Sequence, residues 1–137
     1  MERGSTWNRW DFHVHTPYSV LNNQYGFDPD PDYQKDTSEF DDFVKKLFEA
    51  AIAEGIVAIG ITDYFSIDGY KRIRQEYLST PEKLKELFPD EEKRAQIEKI
   101  YFFPNIELRL DTFVGEDERS VNYHVFFSGD VPCNVIE

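Results

Sequence analysis

The chain has 137 residues, 40% of them hydrophobic and 16% aromatic, which suits one domain with a real core and excludes a disordered chain. Its formal net charge of -12 repels nucleic-acid phosphates and anionic membranes at long range, so any phosphate it handles must meet a bound cation or a local basic patch. The single cysteine, Cys133, excludes an intrachain disulfide framework; no signal-peptide pattern and no apolar run of roughly 20 residues is present, and the expectation is a soluble, cytoplasmic protein without membrane association.

From Trp10 to His15, Phe12 and Val14 alternate with Asp11, His13 and His15. This is the period-two pattern of a strand, with Asp11, His13 and His15 on one face. Thr16-Pro17 ends it, and the Asn, Gly, Asp and Pro residues between Asn22 and Pro31 predict a loop. Thr37 or Ser38 then caps a helix in which Phe40, Phe43, Val44, Leu47, Phe48, Ala51 and Ile52 recur at helical spacing. Gly55 closes that helix. Ile56 to Thr62 is a near-continuous apolar run that suits a buried parallel strand, with Asp63 just past its end.

A second helical region begins near Ser66 to Asp68 and takes in Tyr70, Ile73, Tyr77 and Leu78. Thr80-Pro81-Glu82 starts another helix, with proline preorganised for the first helical position. After Pro89 a charged helix spans Glu91 to Lys99. Ile100 to Leu110 reads as a strand disturbed at Pro104, Gly115 to Arg119 as a polar turn, and Ser120 to Ser128 as a further strand. The tail from Gly129 carries little pattern. The order β-α-β-α-α-β-β is that of an α/β domain whose first strands run parallel and are joined by helical crossovers.

All three histidines, His13, His15 and His124, fall in predicted strands. Two imidazoles on one strand face suit a divalent metal; a hydrogen-bonded pair of histidines accounts for the same spacing. His15 and Asp63 stand at strand ends, where α/β folds gather function, although an aspartate there also serves as a turn or helix cap. Glu107, Arg109 and Asp111 alternate with Leu108 and Leu110. They form either a solvated face or a polar cleft in which Glu107 bridges two metals and Arg109 holds a phosphate. His124 lies among apolar neighbours, a setting in which histidine is often a satisfied core residue. The weight comes from combination: four strand segments each present a histidine or carboxylate near an end. No G-x-x-x-x-G-K-[ST] pattern is present, and Lys71, Arg72 and Arg74 make a small helix-face cluster rather than a phosphate track.

Asp-Phe-His-Val-His-Thr-Pro-Tyr-Ser at 11–19 resembles the opening motif of the PHP (polymerase and histidinol phosphatase) domain. Gly-Ile-Thr-Asp at 60–63, Asn-Ile-Glu at 105–107 and Tyr-His-Val-Phe at 123–126 resemble its later motifs, in the same order. The longer runs are similar to the amino-terminal PHP part of TrlF-like proteins, where a PHP domain precedes an AAA-like or SMC-like ATPase. The resemblance implies metal-dependent hydrolysis of a phosphoester, with nucleic acid or a nucleotide among the substrates, and coupling to an ATPase partner. It implies that His13, His15 and Glu107 hold a first divalent ion (Mn, Zn or Fe), that Glu107 and His124 share in a second, that Asp63 lies nearby, and that Arg109 stabilises charge.

Two departures bear on this. Tyr64 stands where the family commonly has histidine after Thr-Asp, and the family's later histidine and Asp-x-His-type motifs do not occur up to Glu137. Residues 1–137 are therefore expected to form one PHP-like domain, a partial (β/α) barrel of about four strands and the amino-terminal half of the whole. A half barrel leaves an open sheet edge. The alternative expectation is a non-catalytic metal-binding or interaction module that pairs with itself or another chain to complete the barrel. A metal hydrolase of the amidohydrolase type also opens with H-x-H on a barrel strand, but the Glu107 motif argues against it.

Overall fold

Apolar residues on two periodicities build a layer of helices against one face of a sheet. The structure, a computed structural model, describes residues 7–21, 37–114 and 119–137. The loop expected between Asn22 and Pro31, most of the polar turn before Arg119 and the side chain of Asp111 lie outside the described residues.

The strands are β1 (Arg9–His15), β2 (Ile56–Tyr64), β3 (Tyr101–Val114) and β4 (Arg119–Phe126). They form one mixed sheet in the order β1-β2-β3-β4. β1 and β3 flank β2 in parallel, and β4 returns antiparallel to β3. Helix α1 (Thr37–Glu54) makes the first crossover. α2 (Asp68–Arg72), which runs on as a π-helical turn over Ile73–Leu78, then α3 (Pro81–Leu87) and α4 (Glu91–Ile97), make the second. Helical crossovers thus join the first three strands, and the last two pair antiparallel. A short α5 (Cys133–Ile136) stands in the tail where the sequence shows little pattern.

Several boundaries differ from the expected ones for physical reasons. β2 continues through Tyr64, so Asp63 is a paired strand residue opposite Ile106 rather than a residue beyond the end. Pro104 does not interrupt β3. It pairs in register with Ile61, and its carbonyl accepts the Phe127 N–H at 3.0 Å. Gly55 does end α1, at φ +65°, a conformation glycine adopts without steric cost.

The outer face of the sheet carries Ile59, Ile61 and Phe102, packed against Phe40, Val44, Phe48 and Ala51 of α1 and against Tyr70, Ile73, Tyr77, Leu84, Phe88 and Ile97. Phe48 joins the layers, with its ring 5.5 Å from Phe102 and 5.9 Å from Phe88. This burial is the main stabilising term.

The inner face curls sharply. In a flat sheet β1 and β4 would be separated by three strand spacings, roughly 14 Å. Instead the Phe12 and Phe126 rings are 5.7 Å apart and the His13 and His124 rings 4.7 Å apart. The molecule is thus an α/β half barrel. Below the histidines its inner face is aromatic: Trp10, Phe12, Phe103, Phe126 and Tyr101 are linked ring to ring. Most of them remain exposed, beside an open groove of about 390 Å³.

Candidate metal centre

A bulge in β1 assembles the site. Asp11 pairs with Ile59 and the next pair is Val14 with Ile61, so β1 spends one residue more than β2 over this interval. The extra residue sends Phe12 and His13 both to the inner face, Phe12 onto Phe103 and His13 onto His124. Bulges re-aim side chains in this way. Asp11 therefore does not share the face of His13 and His15 as simple alternation predicts; its register partner Ile59 belongs to the outer core. Its Oδ1 instead accepts the His13 N–H at 3.1 Å and steadies the bulge. Gly60 lets β1 lie this close, because a Cβ there would come within 2.6 Å of the Phe12 carbonyl.

Three donor atoms converge above the bulge. His13 Nε2 and His15 Nε2 are 3.0 Å apart, and each is 3.1 Å from Glu107 Oε2. Glu107 is 1% exposed. Two metal–donor bonds of about 2.1 Å that meet near a right angle place their donors about 3 Å apart, so the spacing and the two-nitrogen, one-oxygen chemistry fit a divalent cation. These three residues are the group among the described residues that could hold a metal.

His124 is beside this group rather than within it. Its Nε2 is 3.9 Å from Glu107 Oε1, the carboxylate oxygen that accepts Asn122 Nδ2 at 2.5 Å. Glu107 thus turns one oxygen to the histidine pair and the other toward Asn122 and His124. His124 Nδ1 faces the side-chain amide of Asn105. The Asn105 Nδ2 also lies 3.0 Å from the Phe12 carbonyl and 2.7 Å from Thr62 Oγ1, tying β1, β2 and β4 to β3.

A second layer orients the donors. His15 Nδ1 is 2.8 Å from Ser19 Oγ, which accepts the Tyr64 N–H at 3.2 Å. With Nδ1 engaged, Nε2 is the ring atom turned to the other donors. Burial pushes the His15 pKa down, partly opposed by the Glu107 charge, which favours the neutral ring that metal coordination needs. The Tyr64 ring stacks on His15 at 5.1 Å with an interplanar angle of 20°.

Asp63 faces away from the donors. It is 1% exposed, and its carboxylate accepts the Thr16 N–H and hydroxyl and the Gly69 N–H at 2.9–3.1 Å. It fastens the end of β1 to the first turn of α2. Burial pushes its pKa up to about 7, against the pull of these donors. A Cβ at Gly69 would lie 2.4 Å from Asp63 Oδ2, so only glycine admits this contact. Arg109 stands at the exposed rim two residues beyond Glu107. Its Nε is 3.4 Å from Asn122 Oδ1 and its guanidinium 5.5 Å from the Tyr64 ring centre.

The structure thus brings His13, His15 and Glu107 together, places His124 next to them and Arg109 at the rim, and makes Asp63 an anchor. Sequence reasoning missed Ser19, Asn105 and Asn122. Asn122 could have been found from its period-two relation to His124, and Asn105 from the same relation to Glu107; Ser19 closes the run 11–19 but lies past the strand, where alternation does not reach it. No helix of the described residues is long and apolar enough to cross a membrane. No family model, no curated protein and no solved structure matches this chain.

Proposed function

We propose that the chain is a metal-dependent phosphoester hydrolase module of the PHP type. The observation that carries this reading is the convergence of two imidazole nitrogens and one buried carboxylate oxygen within 3.0–3.1 Å, level with the carboxyl ends of the parallel strands β1 and β2. His13, His15 and Glu107 would hold one divalent ion of the manganese, zinc or iron class; Glu107 and His124 would share in a second. A divalent ion bound there lowers the pKa of water and offsets charge on phosphate oxygens.

The chain's own residues do the rest. Ser19 orients His15, and Asn122 holds the Glu107 carboxylate. Arg109, at the rim, would stabilise charge on a phosphoryl group. Asp63 acts on the site through Thr16, by holding the end of β1 in place. The net charge of -12 makes a small phosphoester a better substrate than a long polyanion. The unpaired cysteine is consistent with a cytoplasmic setting.

The test is metal content after growth with manganese, zinc and iron, beside His13→Ala and His15→Ala controls, followed by phosphoesterase assays on the loaded chain. One to two ions per chain, lost in the controls, with metal-dependent turnover is the expected result. Absence of specific metal in the wild type rules the reading out.

A second reading is favoured by the exposed aromatic inner face and by the two edges, β1 and β4, which pair with no further strand among the described residues. In it the chain is a non-catalytic module that completes a barrel with a second copy or a partner such as an ATPase chain. Sedimentation showing a stable assembly, with bound metal but no turnover, would select it.

A further inference from the structure

Phe65 is, among the described residues, the non-glycine residue with a left-handed backbone, φ +63°. It follows β2 directly, and 55% of it is exposed. Consecutive residues of an extended strand point to opposite faces. The left-handed conformation breaks that alternation and brings the Phe65 ring to 6.0 Å from the Tyr64 ring. The sheet enforces the conformation: the Phe65 N–H donates to the Glu107 carbonyl at 3.1 Å, the backbone of the same residue whose carboxylate completes the donor triangle. Tyr64 in turn stacks on His15, and Arg109 stands beside it.

The rings therefore step outward from the donors, His15 to Tyr64 to Phe65, with the Arg109 guanidinium 5.5 Å over the Tyr64 ring and the Phe65 ring the exposed outer step. Phe65 is not part of the hydrophobic core, so core packing does not account for holding a phenylalanine in a strained conformation. Backbone strain of this kind collects at ligand sites. Exposed aromatic faces with an arginine alongside take up flat rings by stacking and cation–π attraction.

We infer that Tyr64 and Phe65 form a stacking platform beside the metal corner, and that the ligand is a small phosphoester carrying a flat aromatic ring, either a nucleobase or an aryl group. The inference rests on the metal reading above and adds the substrate class to it.

The test measures binding to the metal-loaded chain by calorimetry, with metal content determined on the same samples. One ligand pair is phenylphosphonate and cyclohexylphosphonate, matched in size but not in flatness. The other is the phosphonate analogues of adenosine 5′-monophosphate and ribose 5-phosphate. None of these can be hydrolysed. The ring-bearing member of at least one pair is expected to bind about tenfold tighter, and the pair that shows it identifies the aryl group or the base as the source. Phe65→Gly and Phe65→Asn, which both accept a positive φ, are expected to reduce the preference below about twofold while melting at or above the wild-type temperature. Metal uptake with equal affinities in both pairs overturns the platform and leaves the metal reading standing. So does a preference that survives both variants, or a melting temperature that falls in both. Absence of metal uptake removes the metal reading and the platform together.

Discussion

Glu107 stands 94 positions after His13 in the chain, yet its Oε2 lies 3.1 Å from the His13 Nε2. Two local departures from regular strand geometry make use of this meeting. The β1 bulge turns His13 inward, and the left-handed Phe65, hydrogen-bonded to the Glu107 carbonyl, turns a second ring toward Tyr64. Alternation would give each strand one inward residue in two; these irregularities collect more side chains at one end of the inner face than regular pairing allows.

A buried carboxylate facing two imidazoles is costly unless a cation or proton compensates it. Glu107→Gln keeps the shape and removes the charge. In the presence of a chelator the variant should unfold at a temperature no lower than the wild type. Its affinity for zinc or manganese should fall at least about 100-fold, because an anionic donor has been replaced by a neutral one. Calorimetric metal titration and thermal unfolding with and without metal check both halves. Equal metal affinity in the two chains would take Glu107 out of the site.

Ser19→Ala removes the oxygen that engages both His15 Nδ1 and the Tyr64 N–H. Loss of an orienting partner for a metal-bound histidine typically weakens binding about 10- to 100-fold. Loss of these two hydrogen bonds should lower stability by about 1–3 kcal/mol. Metal titration and denaturant unfolding separate the two effects. A destabilised variant with unchanged metal affinity would mean that Ser19 supports Tyr64 and does not tune His15.

Much of the frame was legible because it depends on local patterns. The apolar spacing from Phe40 to Ile52, Gly55 after the helix and the unbroken apolar run from Ile56 predict α1 and β2 closely. His13, His15, Glu107 and His124 can be picked out as strand residues of one chemistry. The errors arise where tertiary geometry overrides local pattern. Alternation puts Asp11 beside His13, but a bulge with no sequence mark moves it. Asp63, near a strand end, fits either a cleft carboxylate or a turn or helix cap. It becomes an anchor because Thr16 and Gly69, brought close by the fold, supply its donors. The antiparallel return of β4 has no mark in the pattern of the strand itself.

Asp63 makes stability depend on pH in an unusual direction. Its carboxyl has a pKa of about 7 in the folded chain, against about 3.9 when unfolded. A raised pKa means that the folded state keeps a proton the unfolded state has already lost. The contribution is therefore fully present below about pH 4 and is lost progressively as the pH rises through 7. The upper bound for the whole swing is about 4 kcal/mol. Denaturant unfolding of the chelated chain at pH 5 and pH 8, compared with Asp63→Asn, isolates this group, since every other titrating residue is common to both proteins. The wild type should lose more stability than the variant between the two pH values. Parallel profiles would show that the three donors from Thr16 and Gly69 hold Asp63 ionised throughout, and that its burial is fully compensated by hydrogen bonds.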